Sequence, residues 1–303
     1  MGYKLKKNES TTAGIRRITR EEVEEALELL EKRDTDIEET VHEVRKHLKK
    51  IRAVVRLVRD ELGEKDYRRD NETVRGLGRR LASARDASVR VSALDRLRAI
   101  SESDFSSDRV SAIQKRLVSR RRSALGRLRR GSVLSAIARD LDALSKRVRA
   151  WPLRKEGFAC LEPGLRRGYR QGRNAEAQAY ASRADEAFHE WRKRAKDLRY
   201  HVDLLESIWP ETMKDVEKTL HDLTDHLGDD HDFAELRGVL TTSPKLTEGA
   251  DGVATVIELI DRRRSELQAS ARPIGARIYS EKPRAFARRI ESYWNAWRSC
   301  PGE

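Results

Sequence analysis

Apolar residues recur along this chain at three- and four-residue spacing, and no run alternates as a half-buried strand would. The periodicity predicts an all-α protein. Residues 1–13 read as irregular, and a first helix is expected from Thr19, with Glu22 three positions on completing a capping box. A second helix is expected from about Asp36 to Leu62, stopped by Gly63, and a third from about Asp66 to Ile100, broken near Ser83. Ser101 to Ser107 reads as a connection. A fourth helix should end at Gly131, and Ser132 should cap a fifth that ends at Trp151-Pro152. Beyond that point Pro163-Gly164 opens a helix through about Ala181. Ala184 to Trp209 forms a long helix stopped by Pro210, and residues 211 to about 240 form another, interrupted near Gly228. Thr241 to Pro244 reads as a turn, and two last helices cover about Leu246 to Ala271 and about Ile274 to Arg298.

Charge adds a second pattern. His42, Arg45, Lys46, Lys49 and Arg52 share their spacing with His189, Arg192, Lys193, Lys196 and Arg199. On a helix, five residues so spaced fall within roughly 120° of arc. Each set therefore makes one cationic stripe with a histidine at its head. Arg56 extends the first stripe, and Val44, Leu48, Ile51, Val55, Val58 and Leu62 form a separate apolar face. Like charges at this spacing cost about 0.2–0.5 kcal/mol per pair. No acidic residue stands between Arg45 and Arg59 to offset them, so an anionic partner is expected. The second stripe is less bare, because Asp197 can pair with Lys193, and Asp203 with Arg199.

The stripes belong to a wider internal similarity. Gly14 to Arg20 matches Gly164 to Arg170, and Leu81 to Asp86 matches Leu227 to Asp232. Subtracting Gly14 from Gly164, His42 from His189 and Asp86 from Asp232 gives offsets of 150, 147 and 146 residues. Three motifs in one order at nearly one offset indicate a duplication, with repeats over residues 14–155 and 156–303 and a pseudo-two-fold relation between them.

Composition narrows the partner. The 303 residues carry a net charge of +13, charged residues reach 38%, and arginine outnumbers lysine. Arginine's planar fork suits phosphate or carboxylate. Arg116 and Arg120 share one sector of the fourth helix, and Arg166, Arg170 and Arg173 share a face near the second stripe. Cys160 and Cys300 form no metal-ligand spacing and no disulfide framework, which fits a reducing cytoplasm. No apolar run approaches membrane-spanning length.

Candidate chemistry is sparse. His42 and His189 lie beside several cations, which should lower their pKa and leave a neutral imidazole able to donate one hydrogen bond. His47 and His201 lie off the stripes. The stretch His221 to Asp232 is the most metal-like: His221 and Asp225 share a helix face, as do Asp222 and His226. A packing motif with local ion pairs is the stronger reading there, because its tail aligns with Leu81 to Asp86, which holds no histidine. A metal-dependent phosphohydrolase remains the alternative. The chain has no phosphate-binding glycine loop, nucleophile elbow or dinucleotide fingerprint. A non-catalytic protein without metal or other cofactor is expected.

The doubled stripe, Gly164 to Arg170, Trp191 to Tyr200 and the segments ending at Asp86 and Asp232 resemble the CHAD family, the conserved histidine α-helical domain, over about residues 14 to 298. The resemblance implies two four-helix bundles related by pseudo-two-fold symmetry around a basic central groove or pore. It also implies binding of inorganic polyphosphate and a link to phosphate metabolism. Some relatives associate with polyhydroxyalkanoate granules. Two positions depart from the family: Ala82 replaces glycine, and His231 precedes Asp232. The expected ligand set is the two stripes with Arg56, Arg116, Arg120, Arg166, Arg170 and Arg173. Nucleic acid, or polyanions generally, is the alternative partner; phosphate contacts would suffice, but no base-reading motif appears.

Overall fold

The structure is a computed structural model that describes residues 2–32, 36–100, 107–248 and 252–300. Its described residues form α-helices, two short 3₁₀ turns and no strand. The elements are α1 (Thr11–Glu31), α2 (Ile37–Leu57), α3 (Arg59–Arg80), α4 (Ala82–Ile100), α5 (Ser107–Arg130), α6 (Val133–Arg149), α7 (Glu162–Ser182), α8 (Asp185–Leu204), α9 (Pro210–Thr242), α10 (Pro244–Thr247), α11 (Val253–Ile278) and α12 (Pro283–Ser299).

Several helix ends differ from expectation for local reasons. The first helix begins two turns early, because the Ser10 side chain accepts from Ala13 N. Thr19 is therefore buried mid-helix, where its hydroxyl donates to Ile15 O. Glu22 is no capping residue either: it is buried, with His47 Nδ1 at 2.7 Å and Lys50 Nζ at 2.9 Å. Asp36 does cap α2, accepting from Glu38 N. The helix then stops at Leu57, and Gly63 lies inside α3 at a φ of 74°, which glycine adopts without strain. The break expected near Ser83 falls at Leu81. Ser132 makes no side-chain cap. α9 runs unbroken through Gly228, and α11 continues through the exposed Pro273. The connection expected at 101–107 falls almost wholly outside the described residues.

The pairings of the first half recur in the second. α1 packs on α2 and α6, as α7 packs on α8 and α12; α2 packs on α3, as α8 packs on α9; α4 packs on α5, as α9 packs on α11. Both hydrophobic cores draw on both halves. The larger contains Ile51, Leu81 and Trp151 together with Tyr169, Trp191 and Leu223. The smaller joins Leu94 and Leu117 to Phe233, Leu236 and Ile260. A side chain of the size of Phe233, buried this fully, contributes about 1.5–3 kcal/mol.

The seam that sets the site is α2 against α8. Their backbones are tied by His201, buried, whose Nε2–H donates to Ala53 O at 2.9 Å. α7 closes on the end of α2 at Gly164. A Cβ there would lie 1.8 Å from Leu57 O, so only glycine permits the approach.

Candidate functional site

α2 and α8 turn their cationic stripes toward each other, and a cavity of about 360 Å³ lies between them. From α2 it is lined by Arg45, Lys49, Arg52 and Arg56, and from α8 by His189, Arg192, Lys193 and Lys196. The apolar faces of the same helices face the core, so amphipathic packing fixes which way the charges point. α3 supplies a third wall with Arg75, Gly78 and Arg79, and Ala82 begins the next helix. The departure from glycine at position 82 thus leaves only a methyl group at the groove wall.

Each cation is held differently. Arg45 Nη1 donates to Gly78 O at 2.5 Å, and Arg52 Nε donates to Asn71 Oδ1 at 3.0 Å. Arg56 pairs with Asp197, the only carboxylate among the described residues lining the cavity. Lys49 and Lys196 have no carboxylate within ion-pair distance among the described residues. Desolvation first, and then Arg192, Arg45 and Arg85, push the Lys49 ammonium down to about 7, although the residue is exposed to the water of the groove, which screens part of that effect. Lys196 is driven well below the ordinary lysine range by burial, Arg192 and Lys49. Burial also lowers Arg45 and Arg192, and takes Arg52 down to about 10. Desolvation and mutual repulsion thus burden the empty groove, and an anion would relieve the second.

Corresponding residues of the two halves meet corresponding partners. Asp86 is the negative charge that acts most on Arg45, and Asp232 the one that acts most on Arg192. Burial raises the Asp86 carboxyl, whereas Asp232 is held below its usual range by His231, Arg192 and Arg96. His42 has Arg85 beside it, and His189 has His231, the residue at the matching offset, stacked on it with ring centroids 4.4 Å apart. Burial and His231 push His189 down to about 4, so its imidazole is neutral at physiological pH. Burial and Arg85 lower His42 as well.

The groove does not gather every residue read from the sequence. His42 and Lys46 are exposed outside it, and Lys46 pairs with Glu43 at 3.1 Å. Arg199 turns to Glu217 at 2.6 Å. Arg166 pairs with Glu162, Arg170 is exposed, and Arg173 reaches Glu281 O at 3.4 Å. Arg116 donates to Leu246 O and Glu248 O, tying α5 to α10. Arg120 lines a separate cleft between α4 and α5. Conversely, Arg75, Arg79 and Tyr200 line the groove without having been singled out. Arg75 and Arg79 stand four apart on one helix face, but the matching positions of the second half are His221 and Asp225, so repetition gave no signal.

The stretch 221–232 is divided among separate partners. His221 pairs with Asp225, Asp230 holds Arg264 and Gln268, Asp232 holds Arg96, and His231 lies on His189. Among the described residues, the one group of three ligand-bearing side chains within 4.8 Å is Glu22, Glu25 and His47. There the two Glu22 oxygens already hold His47 and Lys50.

Fold and groove define an all-α protein with a cationic cleft at the seam of two helices. The chain belongs to the CHAD family: the CHAD domain pattern matches residues 17–241. Its fold is similar to that of the CHAD domain from the plant Ricinus communis, at 14% identity and a TM-score of 0.67, covering 91% of this chain and 94% of that one. It is also similar to PptA from Streptomyces chartreusis, at 16% identity and a TM-score of 0.63, covering 90% of this chain and 100% of that one. No curated protein matches the sequence. Among the described residues, no helix is long and apolar enough to cross a membrane.

Proposed function

We propose that this protein binds inorganic polyphosphate in the groove between α2 and α8, without chemical conversion. The observation that carries this reading is the pair Lys49 and Lys196, two ammonium groups lining one cleft with no carboxylate in ion-pair reach among the described residues. Cations left unpaired in such a place are costly unless an anion joins them. Arg45, Arg52, Arg56 and Arg192 would fork onto phosphate oxygens, while the lysines would act as point charges. His189, neutral at physiological pH, would donate one hydrogen bond. The rim residues His42, Lys46, Lys193 and Arg199 would add longer-range attraction.

The narrow cleft favours a thin, unbranched chain over duplex DNA. A thin chain can meet cations of both helices inside a cavity of about 360 Å³, whereas a duplex would have to contact them from its opening. The repeats 14–155 and 156–303 fit the same proposal, since matching stripes would grip one ligand from two sides; the recurring helix pairings support that division. A cytoplasmic setting and association with polyphosphate or polyhydroxyalkanoate granules are compatible with it.

Competition provides the test. Labelled long-chain polyphosphate bound to the protein should be displaced by unlabelled polyphosphate at concentrations where single- and double-stranded DNA leave it in place. Equal displacement by DNA would reduce the claim to general polyanion binding.

A further inference from the structure

Other clefts adjoin the groove at two places. At one, His189 and Lys193 also line a cleft of about 540 Å³ between α8 and α9, whose walls carry Asp185, Glu186, Glu190, Asp230 and Glu235. A polyanion leaving that way meets a concentration of carboxylates. At the other, Ala82 lines the groove, and the next residue, Ser83, lines a cleft of about 430 Å³ between α4 and α5. The walls of this second cleft carry Arg90, Arg120 and Arg127 with the hydroxyls of Ser83, Ser119 and Ser123.

The residues of the α4–α5 cleft suit phosphate. Arg120 and Arg127 have no acidic partner among the described residues. Arg90 gives one nitrogen to Glu235 at 3.2 Å, while its Nε is buried without a hydrogen-bond acceptor. Serine hydroxyls beside guanidinium groups supply neutral donors next to charged ones. Asp86 also lines the cleft, and it sits between Arg45 of the groove and Arg90, so its charge faces cations on both sides. Arg45 and Arg90 thus flank Asp86 where groove and cleft meet, and Glu235 beside Arg90 is the second carboxylate there.

We infer that the α4–α5 cleft is an extension subsite, receiving the part of a long polyphosphate chain that emerges from the groove past Ala82. This rests on the groove being the primary polyphosphate site. The ligand would then run from the α2–α8 seam over the start of α4.

Chain length separates this inference from the reading beneath it. The double variant Arg120→Gln/Arg127→Gln changes two exposed side chains and should leave the fold intact. It should bind inorganic tripolyphosphate, which fills the groove alone, as the unaltered protein does. Its affinity for long-chain polyphosphate should fall by about tenfold, with a shallower dependence on salt. The control Arg122→Gln/Arg129→Gln removes equal charge from exposed α5 positions that do not line the cleft, and should cost less than about threefold. Equal losses in the two variants, or a cleft variant that binds both lengths normally, would overturn the subsite. If the unaltered protein bound neither length, the groove itself would be the wrong site.

Discussion

Lys49 of α2 and Lys196 of α8 stand at corresponding positions of their stripes and line the same groove, where burial and nearby cations weaken the hold of each on its proton. Both bind a proton less tightly than they would in an unfolded chain. Between about 7 and the ordinary lysine value of about 10.4, the unfolded state therefore carries more protons. Stability of the ligand-free protein should rise with pH across that window, and the cost of two charged lysines should be fully present below it. Polyphosphate favours the charged forms, so its affinity should change the opposite way. Titrations at constant salt should show binding at about pH 9 at least roughly tenfold weaker than at about pH 6.5, and Lys49→Arg/Lys196→Arg should flatten the profile. Equal affinity at both pH values would contradict the assignment.

Among the described residues Asp197 is the one carboxylate at the groove wall, and it neutralises Arg56. Asp197→Asn frees that guanidinium and removes a repulsion from the phosphate path. Affinity for polyphosphate should rise several-fold while the ligand-free protein loses about 1.5–3 kcal/mol, the usual worth of a hydrogen bond to a charged group. Thermal melts with and without ligand measure both effects, and the ligand-induced rise in Tm should be larger in the variant.

Gly164 tests the seam. The Cβ of Gly164→Ala would collide with the Leu57 carbonyl, a backbone atom that cannot rotate away. The cost should reach or exceed the upper end of the about 1–3 kcal/mol typical of overpacking. Gly168→Ala should cost less, because its Cβ would meet His201 Cε1 at 3.3 Å, where a side chain can give way. Chemical denaturation of the two variants should preserve that order.

Arg116 separates structural from binding arginines. Its two bonds to Leu246 O and Glu248 O predict that Arg116→Ala lowers stability by about 1–3 kcal/mol and leaves polyphosphate affinity unchanged. A selective loss of affinity, with an unaltered melt, would instead place Arg116 at the ligand.

Much of this architecture is visible in the order of residues, because helix stripes are local patterns. The apolar face of α2 and its cationic face follow from spacing alone. What spacing omits is the partner each long side chain finds. Lys46 and Lys49 share a stripe, yet one meets Glu43 outside the groove and the other lines it. Arg199 fits the repeat but reaches Glu217, a residue eighteen positions away on the next long helix. Helix ends were misjudged where tertiary packing outweighed a local breaker: Gly228 lies in a helix held by α8 and α11, and Gly63 bends a helix that continues past it. The α3 wall was illegible because Arg75 and Arg79 have no basic counterparts in the second half.

The most direct measurement is a titration of long-chain polyphosphate into the unaltered protein and into Lys49→Glu/Lys196→Glu at two salt concentrations. Tight, salt-sensitive binding by the unaltered protein, lost by at least about a hundredfold in the variant with its helical content intact, is the predicted result. Undiminished binding by that variant would contradict the central claim, because the ligand would then lie outside the groove between α2 and α8.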